Sequence, residues 1–211
     1  FKSLLFLATG AVLHATAERS LGKLGGLIRF MPWVAWLTLV GVLASAGLPP
    51  LGGFVSEWLL LQSFLFTPSL PNPLLDMLIP VVTALIALVA ALAGYTMVKF
   101  YGVIFLGRAR EEKLAQAHDA GGLERIGMLW LVFGCVALGL LPTQFIAVID
   151  PVTNLLVDAG LGATVRNSSW LLIPTAQERA SYGPIVFLLG IAIAFLLSYL
   201  LVRRLYHGRL R

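Results

Sequence analysis

A nearly continuous apolar run, residues 33–67, is the feature that most constrains this chain. As one straight α-helix the run would be ~52 Å long at ~1.5 Å per residue, whereas the hydrocarbon core of a bilayer is only ~30 Å thick. The residues that interrupt it are Pro49, Pro50, Gly52 and Gly53. Proline removes amide donors and glycine permits non-helical backbone. The pattern therefore predicts two half-helices joined by a non-helical link.

The overall composition is typical of a membrane protein. Hydrophobic residues make up 59% of the 211 residues and charged residues 12%, against roughly 25% charged in soluble domains. The apolar runs long enough to approach a membrane span are residues 1–16, 33–67, 77–106, 126–145 and 184–202. We therefore expect an all-α, polytopic transmembrane helix bundle of about five spans, one of them discontinuous.

Basic residues alternate between successive connections. The counts of Lys plus Arg in the four connections and the tail are three, none, four, two and four. Because cytoplasmic loops carry the excess of Lys and Arg, the first and third connections and the C-terminal tail are expected on the cytoplasmic side of a prokaryotic inner membrane. The basic residues behind the net charge of +5 then set the orientation of the spans in the bilayer, and we expect no nucleic-acid partner.

Three segments are predicted from this layout. Residues 1–145 would form one membrane domain, and residues 184–211 an additional helix with a basic cytoplasmic tail. Between them, residues 146–183 would be an extracytoplasmic connection, either with a helix at the membrane surface or as a plain loop. The first apolar run is short and lacks a basic leader, so we expect a fragment of a longer protein and not a signal peptide.

Three ionisable residues, Lys2, Glu57 and Lys99, lie well inside the predicted spans. A charge at the bilayer centre costs about 2.5–3.5 kcal/mol on insertion scales, so pairing, a wet cavity or a proton site must offset it. Lys99 is close enough to the cytoplasmic Arg108 to reach the surface by snorkelling. Lys2 is too far from the cytoplasmic end of its helix for that, which favours a place inside a bundle.

Glu57 follows the helix break and is the strongest candidate for a proton site. Near the start of a half-helix, the positive end of the dipole favours the ionised carboxylate, whereas burial favours the neutral form. Broken helices of this kind occur where transporters bind ions. The alternative is a proline kink used only for packing, with Glu57 in an inert ion pair. His14, near the end of the first span, is either a helix cap or a marginal relay residue.

Other chemistries have little support in the sequence. Cys135 is the only cysteine, which excludes an intrachain disulfide and a multi-cysteine metal centre. The histidines lack ligand spacing, and neither a phosphate loop nor a dinucleotide fingerprint is present. We therefore expect no catalytic residue, no cofactor and no metal.

Several motifs resemble one known family. The segments "FKSLLFLATGAVLHAT", "KLGGLIRFMPW" and "GLPPLGGFVSEWLLLQ" are similar to the C-terminal half of the antiporter-like membrane subunits of respiratory complex I, Mrp cation/proton antiporters and membrane-bound hydrogenases. The segment "VKFYGVIFLGRAR" looks most similar to the hydrogenase-4 and formate hydrogenlyase branch. The resemblance extends over about residues 1–125.

The resemblance implies a part of a bundle with two inverted repeats, each with one broken helix that carries a Lys or Glu. It places Glu57 on the charge of the second broken helix and Lys2 on the lysine of the preceding helix. Lys99 matches a basic position after the break, and His14 a position that varies among relatives. The implied function is proton translocation along a row of buried Lys and Glu.

The implied partners are other membrane subunits and, through them, a peripheral redox module of a hydrogenase-4-like or complex I-like oxidoreductase. A stand-alone Mrp-type Na⁺/H⁺ antiporter subunit without redox coupling is the alternative, and a purely structural membrane anchor is a third.

Overall fold

The computed structural model describes residues 1–65, 72–157 and 182–205. Its α-helices are α1 (Lys2–Thr16), α2 (Pro32–Ser45), α3 (Gly52–Leu65), α4 (Pro73–Phe105), α5 (Gly122–Leu140), α6 (Pro142–Val157) and α7 (Pro184–Leu205). Short 3₁₀ turns at Leu21–Lys23, Leu27–Arg29 and Glu112–Gln116 lie in the connections. The chain divides into two compact units, residues 1–139 and 140–211, and each is described by itself.

Helix α2 is the centre of the first unit, since it packs against α1, α3 and α4. The buried residues of α1 are Leu4, Ala8, Val12 and Thr16. They recur every four residues, which places them on one face of the helix. Gly41 of α2 lets this face approach closely, because a Cβ at Gly41 would lie 3.1 Å from the Leu4 and Leu5 side chains.

Helix α4 begins at a well-defined cap and is exposed over most of its length. Asn72 is its N-cap, with a side-chain oxygen that accepts a hydrogen bond from the Leu74 amide at 3.0 Å, and Pro73 takes the first helical position, where its missing amide costs nothing. Over 33 residues the helix buries only Tyr101, Ile104 and Phe105. So much exposed apolar surface is stable only where lipid or other apolar protein covers it.

Three helices of the described residues are long and apolar enough to cross a membrane: Pro73–Phe105, Gly122–Leu140 and Pro184–Leu205. The predicted run 33–67 contains two separate helices of 14 residues, α2 and α3. Each is too short to span a bilayer alone. A count of five spans, with α2 and α3 as one discontinuous span, therefore stays a prediction.

The second unit contains α6 and α7. The predicted span 126–145 differs from the structure, because α5 ends at Leu140 and Pro142 opens α6; a residue before proline avoids the helical region. Helix α6 extends to Val157 and overlaps the predicted connection 146–183. Its place at a membrane surface stays a prediction, and residues 158–181 of that connection lie outside the described residues.

Candidate functional site

Helix α2 ends in a Schellman motif at Gly47. The Leu48 amide donates to the Leu43 carbonyl at 3.0 Å, and the Gly47 amide donates to the Ala44 carbonyl at 3.3 Å. Gly47 has φ +66°, the left-handed conformation that this motif requires after the last helical turn. Helix α2 is therefore closed by Gly47, two residues before the proline pair.

The link from α2 to α3 is held by contacts between backbone atoms. A Cβ at Gly53 would overlap the carbonyl oxygen of Ala44, and a Cβ at Gly139 of α5 would overlap that of Pro50. The peptide bond between Pro49 and Pro50 is cis. Because only glycine permits these two approaches, the link has little room to change position relative to α2 and α5.

Glu57 lies in the second turn of α3 and is half-buried. Its carboxyl group occupies the space that a side chain at Gly47 would take: a Cβ built on Gly47 would overlap Glu57 Oε2 and lie 3.1 Å from Cδ. The carboxyl group therefore reaches back from α3 to the carbonyl end of α2. This contact joins the acid to the turn that ends α2.

A cavity of about 390 Å³ opens beside the link between α2 and α3. Its walls come from Phe1, from the end of α2 and the start of α3 at Ala44, Gly52 and Gly53, and from one side of α5 around Cys135. Cys135 itself is buried, with 5% of its surface exposed. The cavity is mostly apolar in its lining and is large enough for several water molecules, at ~30 Å³ each.

The structure does not bring the other predicted site residues to Glu57. Lys2, the first residue of α1, and Lys99, in α4, are both exposed in this chain. Within the described residues, no ion pair joins either lysine to Glu57. A buried row of Lys and Glu therefore stays a prediction that requires protein beyond this chain to cover the two lysines.

His14 lies in the last turn of α1, at the opposite end of that helix from Lys2. Its ring packs edge-on against His118, with ring centroids 6.2 Å apart. With Glu124 it lines a smaller cavity of about 160 Å³. His14 is therefore part of the loop end of the bundle.

At that end, residues 17–31 and 106–121 are tied together in what we name the loop clamp. Lys113 Nζ lies 2.7 Å from Glu18 Oε2 and 3.0 Å from Glu111 Oε2, and Arg110 donates to the Gly22 carbonyl at 2.8 Å. The hydrogen bond from Lys113, with that from the Ser20 amide, lowers the pKa of Glu18 from its usual 4.5 to about 2. The same contact raises the pKa of Lys113.

Asp119 of the clamp caps α2. Its carboxylate accepts hydrogen bonds from the Trp33 amide at 2.9 Å and the Val34 amide at 3.3 Å. Arg125 lies 3.9 Å from the same carboxylate and 5.5 Å above the Trp33 ring. An acid at this point satisfies free first-turn amides and faces the positive end of the helix.

Sequence reasoning missed Gly47 and the loop clamp. A signal for Gly47 is present, because proline commonly follows a glycine cap by one or two residues and Pro49 does so here. The clamp had no signal, since the hydrogen bonds that tie its second loop to the first loop and to α2 join residues 85 to 95 apart in the chain. Among the described residues, no group of three or more His, Cys, Asp or Glu could hold a metal ion.

Comparison with known proteins finds a family similar to the first third of the chain. Residues 1–71 match the family described as NADH:quinone oxidoreductase/Mrp antiporter, transmembrane. Over these residues the chain is similar to that family. The antiporter-like resemblance expected from the sequence is thereby confirmed.

The similar proteins include two hydrogenase-type subunits and an antiporter subunit. The chain is 39% identical to formate hydrogenlyase subunit 3 of Escherichia coli over 64% of its own length, but covers 22% of that protein. It is 34% identical to hydrogenase-4 component B of the same organism, over 66% of this chain and 21% of that one. It is 33% identical to Na⁺/H⁺ antiporter subunit A1 of Staphylococcus saprophyticus, over 94% of this chain and 24% of that one.

A solved structure shows the same fold. In an archaeal respiratory membrane complex, the membrane-bound sulfane sulfur reductase, one chain matches with a TM-score of 0.63 at 20% sequence identity. The match covers 98% of this chain and 30% of that one. At 20% identity, the similarity to the solved structure concerns the fold alone. The chain spans roughly a quarter of the length of the relatives that it matches.

Proposed function

We propose that this chain is part of a membrane subunit that translocates protons, with Glu57 as the central protonatable group. The observation that carries the proposal is the contact of the Glu57 carboxyl group with Gly47 at the helix break. Glu57 is half-buried and follows a break in the helical backbone, and residues of that break line a cavity of about 390 Å³. These are features of an ion-binding point in a discontinuous helix.

Lys2, Lys99 and His14 have supporting roles in this proposal. Lys2 directly follows Phe1, which lines the cavity at the break, so its charge would act from that end of α1. Lys99 lies toward the loop end of α4, and His14 lies at the loop end of α1. Covered by the remainder of the full-length protein, the lysines would change the proton affinity of Glu57 as they gain or lose charge.

In this proposal a separate redox module supplies the energy for proton translocation. We propose coupling to a hydrogenase-4-like, formate hydrogenlyase-like or complex I-like oxidoreductase, through other membrane subunits in a prokaryotic inner membrane with the C-terminal tail in the cytoplasm. The 39% identity to the formate hydrogenlyase subunit supports this choice.

A Na⁺/H⁺ antiporter subunit without redox coupling is the second candidate. The match to Na⁺/H⁺ antiporter subunit A1 extends over 94% of this chain, further than the 64% for the formate hydrogenlyase subunit. In inverted vesicles without any redox substrate, an antiporter would dissipate an imposed pH gradient on addition of Na⁺. A redox-coupled pump would instead require the electron donor of its complex.

Glu57→Gln in the full-length protein tests both candidates at the shared residue. The rate of proton transport into inverted vesicles is measured by the quenching of a pH-sensitive dye. This rate should fall by about 10²-fold or more if a proton-transferring group is lost. The amount of assembled complex should not change. Glu112→Gln, which removes the same charge from the loop clamp, is the matched control and should transport normally.

The structural-anchor alternative predicts the opposite pair of results. If Glu57 serves only helix association, Glu57→Gln will reduce the amount of assembled complex while transport per assembled complex stays at the wild-type rate. Normal transport by Glu57→Gln would overturn the proposed function.

A further inference from the structure

Gly47 combines two properties at one position. Its φ of +66° closes the Schellman motif at the end of α2, and its missing side chain leaves the space that the Glu57 carboxyl group fills. The first property alone would also suit asparagine, which tolerates the left-handed region. The second distinguishes glycine from every residue with a Cβ, because that atom would overlap Oε2 of Glu57 unless the carboxyl group moved away.

We infer that Gly47 is a positioning residue for Glu57, which seats its carboxyl group against the end of α2. The inference rests on the proposed function of Glu57 and extends it to the space beside Gly47 that its carboxyl group fills, which we name the seat. Without a Cβ at position 47, the carboxyl group can lie against the backbone; with one, the flexible end of the Glu57 side chain must rotate away.

The seat also defines the electrostatic surroundings of the acid. Glu57 lies in the second turn of α3, beyond the first turn where a helix N-terminus most favours negative charge, and its carboxyl group faces the carbonyl end of α2. Carbonyl oxygens at a helix C-terminus carry partial negative charge and disfavour an anion beside them. A carboxyl group displaced from the seat would therefore exchange protons in different surroundings, whatever the stability of the fold.

Gly107 provides a matched control for the backbone effect. It has φ +81°, and a Cβ built on it would have nothing within 4 Å. Gly107→Asn and Gly47→Asn therefore both introduce a side chain at positive φ, but only the second displaces a carboxyl group.

The test compares these two variants in the full-length protein within its membrane complex. Two quantities are measured per assembled complex: the rate of proton transport and the rate at which a carboxyl-reactive carbodiimide labels Glu57, followed by mass spectrometry. Gly47→Asn should transport about 10- to 100-fold more slowly, the loss expected for a reacting group misplaced by ~1 Å, and should label Glu57 at a changed rate. Gly107→Asn should match the wild type in both measurements.

A double variant separates an effect on the position of the Glu57 carboxyl group from a general loss of stability. Glu57→Asp shortens the side chain by one CH₂ group and retracts its carboxyl group from position 47. If Gly47 positions Glu57, the effects of Gly47→Ala and Glu57→Asp on transport will be non-additive, and the double variant will be faster than the product of the single effects.

The outcomes distinguish this inference from the proposed function. Wild-type transport by Glu57→Gln sinks the proposed function and with it the inference. If Glu57→Gln stops transport but Gly47→Asn behaves like Gly107→Asn in both measurements, the inference alone is wrong. Additive effects in the double variant, with unchanged labelling of Glu57, also overturn it.

Discussion

The cap that Asp119 places on α2 gives a prediction with a calculable size. Asp119→Ala removes the acceptor for the Trp33 and Val34 amides, and loss of such a cap costs about 0.5–2 kcal/mol. The ion pair with Arg125, at 3.9 Å and partly exposed, adds about 0.2–1 kcal/mol. The total of about 1–3 kcal/mol corresponds to a change of roughly 5- to 140-fold in a local opening equilibrium.

Hydrogen–deuterium exchange measures this opening directly. In the full-length complex, a peptide that contains Trp33 and Val34 should lose roughly 5- to 140-fold of its protection in Asp119→Ala, with a smaller loss in Asp119→Asn, which keeps one acceptor oxygen. The control is Glu124→Ala, because Glu124 accepts a hydrogen bond from the Gly121 amide at the start of α5. It should change exchange there and leave residues 33 and 34 as in the wild type. Protection within twofold of wild type in Asp119→Ala would refute the reasoning.

Two further predictions concern the loop clamp and the helix break. Because the folded protein holds the pKa of Glu18 at about 2 against a usual 4.5, its stabilising effect is complete above pH 4.5 and is lost as the pH falls from 4.5 toward 2; Glu18→Gln should remove that part of the pH dependence of thermal unfolding. Gly139→Ala places a methyl group against the Pro50 carbonyl oxygen, which cannot rotate away, so stability should fall by about 1–3 kcal/mol. Gly94→Ala in α4 meets open space and should leave the melting temperature unchanged or higher; equal melting temperatures for the two alanine variants would contradict this assignment.

Local chemistry explains which parts of the structure the sequence could predict. The two helices on either side of the break follow from residue properties at Gly52, Pro49 and their neighbours. The end of α5 at Leu140 was missed because the apolar pattern continues through Pro142, so hydropathy alone does not mark the boundary.

The site was predicted less completely than the fold, because its contacts join distant parts of the chain. Glu57 was found from its isolation in an apolar run, but its partner Gly47 carries no side chain for a pattern to detect. Asp119 lies in a polar segment that resembles any solvated loop, and only the three-dimensional structure connects it with α2. Lys2 was predicted to lie inside a bundle, and Lys99 either there or at the surface by snorkelling. Both are exposed in this chain, which spans 22% of the length of a relative, and their burial in the full-length protein stays a prediction.

The close approaches at Gly53 and Gly139 have a mechanical consequence. At these two points the backbone of one segment contacts the backbone of another. No side chain lies between them that could make room by changing its rotamer. The link between α2 and α3 should therefore be rigid and should not act as a hinge. A switch at Glu57 would then proceed by rotation of its own side chain, and structures captured in different transport states should superpose closely over residues 44–53 and 135–139.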